Sequence, residues 1–155
     1  MWCPLQRLLL DPLMQPDRVG VEPEWMRADF VAQALRVAAR LCETRPRAVA
    51  LHFSDAARMA CAFLACAHEG VAMVLPPNLA ADNLAWAGER ADVWMTDGHT
   101  PDLAQDVANA ARAAADAQAG RGHIKVWTLT DEAILVETFH GNLSAQTAQT
   151  AQTAQ

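Results

Sequence analysis

The sequence predicts an α/β fold, a mostly parallel sheet layered between flanking helices. Three observations carry that expectation. Short apolar runs alternate with longer stretches of helical periodicity, in the order helix, strand, helix, strand, helix, strand, helix, strand, strand. Breakers and turn residues fall between them, at Pro46, Gly70, Pro76-Pro77-Asn78, Asp97-Gly98 and Gly120. Apolar residues make up 52% of 155 residues, which is enough for one core, although much of that share is alanine and buries little area.

Four of the eight prolines fall in residues 1–24, which read as an extended lead-in with a short helical turn around Leu5–Leu10. A helix is expected from about Trp25 to Glu43. Phe30, Ala34, Val37, Ala38 and Leu41 repeat at three and four, and Pro46 stops it. Ala48–Phe53 reads as a buried strand. Ser54 or Asp55 can cap the next helix, which runs to about Glu69 with Gly70 at its end. Met59–Ala67 is apolar all round, so that helix is expected to be covered on most sides.

Val71–Leu75 is a second buried strand. A helix over about Ala80–Arg90 and a third strand over Asp92–Thr96 follow, the latter ended by Asp97-Gly98. An alanine-rich helix covers about Pro101–Ala119, with Leu103, Val107, Ala111 and Ala114 along one stripe. Ile124–Leu129 and Ile134–Phe139 are two further strands, joined by a loop at Thr130–Glu132. Short connections and right-handed crossovers then put helices on both faces. The Ala-Gln-Thr repeat from Ala145 has no charge and no large apolar residue, and is expected to be disordered or a frayed helix. The organisation expected is a lead-in over 1–24, an α/β unit over 25–139 and a low-complexity tail over 140–155.

The net charge of −6, with Lys125 the only lysine, leaves no electrostatic footprint for nucleic acid. The arginines at 18, 27, 36, 40, 45, 47 and 58 read as a solvated face. Leu8-Leu9-Leu10 is too short for a signal peptide, and no apolar run is long enough to span a bilayer, so a cytoplasmic protein is the expectation.

Cys3, Cys42, Cys61 and Cys66 form no CxxC pair and are expected to be free thiols, buried or half-buried. His52, His68, His99, His123 and His140 show no metal-ligand spacing. There is no GxGxxG, GxxxxGK[ST] or GxSxG, and Ser54 and Ser144 are the only serines. Trp25, Trp86, Trp94 and Trp127 lack a basic surround and read as packing residues. Asp55 and Asp97 both follow strands, a place where a phospho-acceptor receiver domain carries its acids. That fold also wants paired acids after its first strand and a lysine after its last, and neither is present. The readings kept are a helix cap for Asp55 and a turn residue for Asp97.

Residues 48–98 carry a more specific signal. Ala48-Val49-Ala50-Leu51, His68-Glu69-Gly70, Val74-Leu75-Pro76-Pro77-Asn78 and Met95-Thr96-Asp97 occur in that order, after Asp29-Phe30. This order and spacing resemble the N-terminal subdomain of AMP-dependent synthetases, and the likeness covers roughly residues 4–139. The nearest flavour is the acyl-CoA synthetase-like ligases of aryl-polyene and xanthomonadin clusters.

The resemblance implies ATP and Mg²⁺ for the intact family member, with CoA or an acyl-carrier protein as thiol acceptor. It also implies a Thr/Ser/Gly-rich phosphate loop directly after the strand Ile134–Phe139. The chain instead reads His140-Gly141-Asn142-Leu143-Ser144 and then the repeat. No catalytic, cofactor-binding or metal-ligating residue of the family therefore carries over to this sequence. The expectation is a frameshifted or truncated ligase that is not catalytic alone. The alternative is a small non-catalytic binding or interaction module that complements a separately encoded remainder.

Overall fold

The computed structural model describes residues 19–21, 25–97, 101–117 and 123–140. Its centre is a five-stranded sheet in the order β4-β3-β5-β6-β7. The strands are β3 (Ala48–Leu51), β4 (Ala72–Val74), β5 (Val93–Asp97), β6 (His123–Leu129) and β7 (Ile134–His140). The pairs β3–β4, β3–β5 and β5–β6 are parallel, and β6–β7 is an antiparallel hairpin. The α/β class and the mostly parallel sheet expected from the sequence are therefore present.

Side-chain alternation divides the sheet cleanly. Val49 and Leu51 of β3, Val93 and Met95 of β5, and Trp127 and Leu129 of β6 join one core with helices α1 (Arg27–Thr44) and α2 (Ala56–Glu69). Ala48, Ala50, Trp94, Ile124 and Val126 join the other, with α3 (Ala81–Arg90) and α4 (Pro101–Ala117). Strands buried on both faces read as near-continuous apolar runs, as AVAL does, and the polar residues of the equally buried β5, Thr96 and Asp97, fall at its carboxyl end. On α4 the stripe is confirmed at Val107, Ala111 and Ala114, all buried, and alanine there lets α4 lie close to the sheet.

The helix boundaries follow from local chemistry. α2 starts at the Asp55 cap, whose carboxylate accepts the Arg58 N–H at 2.8 Å. It closes in a Schellman arrangement, with Gly70 at φ 68 and Val71 N–H donating to the Cys66 carbonyl at 2.9 Å. α1 ends differently. Arg45 takes the left-handed position at φ 45, and its N–H donates to the Leu41 carbonyl at 2.8 Å.

Several boundaries depart from the sequence reading, and β3 already stops at Leu51 and not at Phe53. Trp25–Met26 is a short strand, β2, paired antiparallel with β1 (Val19–Val21), so α1 begins at Arg27. The pairing with β1 is a contact between segments, which helical periodicity within one segment does not carry. The second and third strands are also shifted at their ends: Leu75 is exposed beyond β4, and Asp97 is the last residue of β5 and not a turn residue. The helical turn expected at Leu5–Leu10 and the tail over 141–155 lie outside the described residues.

Candidate functional site

From β3 the chain crosses through α2 to β4 on one side. From β5 it crosses through α4 to β6 on the other. The order therefore reverses between β3 and β5, and the carboxyl ends of those two strands form the crevice where open α/β sheets take ligands. Three sequence-picked residues meet there: Ser54, Asp55 and Asp97.

Asp97 is fully buried at the end of β5. One carboxylate oxygen accepts the Ser54 N–H at 2.6 Å and the Asp55 N–H at 2.9 Å. The Ser54 hydroxyl lies 3.0 and 3.1 Å from its two oxygens. A buried carboxylate is tolerable only when donors replace its water, and the loop after β3 supplies them. Both oxygens of Asp97 are engaged in this way, which is unlike an open phospho-acceptor.

The next contact leads outward. Asp55 caps α2 with one oxygen and accepts Arg58 Nη1 at 3.0 Å with the other. Arg58 Nη2 donates to the Asp131 carboxylate in the turn between β6 and β7. Arg58 is buried, which corrects its place on a solvated face. Its helix has no polar face, because Cys61, Ala62, Ala65 and Cys66 are all buried and their neighbours partly so. An arginine in its first turn reaches a carboxylate instead of bulk water.

His52 follows β3 directly, and its N–H donates to the Met95 carbonyl at 3.0 Å. Burial lowers the pKa of its imidazole, and the Asp97 charge opposes that shift. His68 lies in the last turn of α2, 3.9 Å from Glu69, and His123 is exposed at the start of β6. His99 and Ser144 lie outside the described residues, and His140 ends β7.

Burial pushes the Cys61 and Cys66 thiols up to about 12, whereas Cys42 is exposed, contrary to expectation; Cys3 lies outside the described residues. Trp94 and Trp127 pack fully buried in the two cores, as their reading requires. Trp86 departs from it, standing 41% exposed with the Arg90 guanidinium 5.2 Å from its ring centroid.

Chemically the arrangement is closed on itself. Helix N-termini can hold an anion, and around the start of α2 the N–H groups of Ser54 and Asp55 donate to the Asp97 carboxylate and that of Arg58 to the Asp55 carboxylate. Among the described residues no group of three or more His, Cys, Asp or Glu is placed to hold a metal ion. The carboxylates at the crevice are committed to Ser54, Asp55 and Arg58, so they do not fit a Mg²⁺ site. No helix among the described residues is long and apolar enough to cross a membrane.

The fold defines the chain as a doubly wound α/β layer structure with a self-satisfied switch point. Solved structures share it. ATP-bound MatB from Rhodopseudomonas palustris superposes with a TM-score of 0.58 at 19% identity, covering 83% of this chain and 25% of that one. An ATP-bound chimera of that MatB with BxBclM, chimera B1, gives a TM-score of 0.59 at 19% identity, again over 83% and 25%. A second chimera, B3, gives 0.57 over the same shares. The chain thus spans a quarter of the length of these structures, and at this identity the likeness is one of fold. No protein-family model and no curated protein matches the sequence.

Proposed function

We propose that these residues are the N-terminal α/β subdomain of an AMP-dependent acyl or aryl acid ligase, of the aryl-polyene type. The observation that carries this reading is a coincidence of two independent comparisons. The segment order over residues 48–98 resembles that family, and 83% of the chain takes the fold found in a quarter of ATP-bound MatB, an AMP-forming ligase.

In this reading the whole protein joins a carboxylic acid to AMP. The carboxylate oxygen attacks the α-phosphorus of ATP, and the bond to the pyrophosphate leaving group breaks. A thiol of CoA or an acyl-carrier protein then attacks the acyl carbon and AMP departs. The 155 residues contribute scaffold to that chemistry and none of its groups. They contain no Thr/Ser/Gly-rich loop to grip a triphosphate, and at the start of α2 the N–H groups of Asp55 and Arg58 already donate to the carboxylates of Asp97 and Asp55.

Acid-dependent ATP–pyrophosphate exchange tests this. The 155-residue chain is expected to give none, and to support exchange only with a polypeptide bearing the phosphate loop. Exchange catalysed by these residues alone would refute the reading. A second reading, an interaction module that completes a separate chain, draws on the β7 edge. There Leu135 and Val136 are 58% and 41% exposed on opposite faces of a strand paired only with β6 among the described residues. Co-purification with a strand-donating partner, without ligase activity in the pair, would favour it.

A further inference from the structure

Independently of the ligase reading, we infer that Arg58 is a positioning residue: it couples the switch-point crevice to the β6–β7 hairpin and holds the start of β7 in place through Asp131. Capping does not require its guanidinium. The bond from Arg58 to the Asp55 cap is made by the main-chain N–H, which any residue but proline would supply. Burying a guanidinium is costly, so its side-chain contacts are what explain it. Nη1 is held by Asp55 at 3.0 Å, which fixes the plane of the group, and Nη2 then reaches Asp131, 73 residues away in sequence.

The turn it reaches is gripped from a second element. On α1, Gln33 Nε2 donates to the Thr130 carbonyl at 2.8 Å and Arg36 Nη1 to the Asp131 carbonyl at 3.3 Å. Beyond its pairing with β6, β7 is held by few side chains. Leu135, Val136, Glu137 and Thr138 are exposed, and only Ile134 and Phe139 pack into the two cores. The route Asp97, Ser54 and Asp55, Arg58, Asp131 is a continuous series of charge-assisted bonds and main-chain steps. It runs from the carboxyl end of β5 to the residue three places before β7 begins.

Amide hydrogen exchange on the full chain tests the coupling. In Asp131→Ala, at an exposed turn position that leaves the core intact, the β7 amides facing β6 are expected to exchange about ten-fold faster while β3 and β5 amides keep their protection. Arg58→Met is expected to give the same β7 acceleration, and adding Asp131→Ala to it is expected to accelerate β7 no further. Arg58→Lys, able to reach only one carboxylate well, should fall between. Uniform acceleration of every strand in Asp131→Ala would reduce Arg58 to a general stabiliser and overturn the inference. So would β7 exchange that does not change. Neither result bears on ATP–pyrophosphate exchange, so the two readings fail separately.

Discussion

The Asp97 carboxylate and the Ser54 main-chain N–H lie 2.6 Å apart, the shortest of several contacts that join the carboxyl ends of β3 and β5 across 43 residues of sequence. It sits where the strand order reverses, between two parallel strands that lead to opposite sides of the sheet. A gap at that place would ordinarily hold solvent or ligand. Here the Asp97 side chain satisfies donors of the loop after β3.

The contact sets a ranking of substitutions. Asp97→Ala removes the acceptor for two main-chain donors, and hydrogen bonds to a charged group are worth about 1.5–3 kcal/mol each before relaxation. A loss of about 3 kcal/mol in urea unfolding is expected. Asp97→Asn can keep its one oxygen on both main-chain donors and turn its NH₂ to the Ser54 hydroxyl, which can accept, so it loses chiefly the charge assistance, about 1–2 kcal/mol. Ser54→Ala leaves both main-chain bonds in place and should cost about 1 kcal/mol or less. If Asp97→Ala and Ser54→Ala prove equal, the main-chain contacts are not what holds the loop.

These same residues mark the limit of what the sequence discloses. The Asp55 cap, the Gly70 terminus and the apolar runs of β3 and β5 are local signals, set by residues within a few positions of each other. Their elements were legible for that reason. Asp97 was not, because Asp-Gly after a strand has the composition of a turn, and its partner is fixed only when β3 and β5 become neighbours.

Arg58 was missed for a related reason. Arginines at helical spacing suggest a wet face, yet the apolar circumference of Met59–Ala67 had already removed that face. Asp55 at three residues' distance was the available clue. Trp86 errs in the opposite sense, since a large aromatic reads as core until the helix carrying it is seen to end the layer.

The buried thiols give a pH prediction. Cys61 and Cys66 are held protonated to about 12 in the fold, chiefly by desolvation, against an ordinary value of 9.0. In the unfolded chain both ionise near 9.0, so between pH 9 and 12 the folded state binds more protons and stability falls as pH rises. Each thiol contributes a slope of about 1.4 kcal/mol per pH unit in that window. Cys66→Ala should remove about half of the slope, measured by unfolding at several alkaline pH values. At pH 8, a thiol reagent should modify Cys42 in the native protein, and Cys61 and Cys66 only on unfolding. Native-state labelling of Cys66 at a rate near that of Cys42 would contradict the burial on which the slope depends.

Two helix ends offer a matched pair of opposite sign. Gly70 and Arg45 occupy the same left-handed position after α2 and α1, at φ 68 and φ 45. Only glycine adopts that conformation without a Cβ penalty of about 1 kcal/mol. No atom lies within 4 Å of where a Gly70 Cβ would stand, so Gly70→Ala tests the backbone alone and should destabilise by about that amount. Arg45 is exposed, and its N–H bond to Leu41 does not involve its side chain. Arg45→Gly should therefore stabilise by about 1 kcal/mol, less the entropy that glycine adds to the unfolded chain. Measured together by urea unfolding, the two should shift the midpoint in opposite directions. A loss of stability in Arg45→Gly would mean that the unfolded-chain entropy of glycine outweighs the relieved backbone, and that α1 gains nothing from relief of its terminal strain.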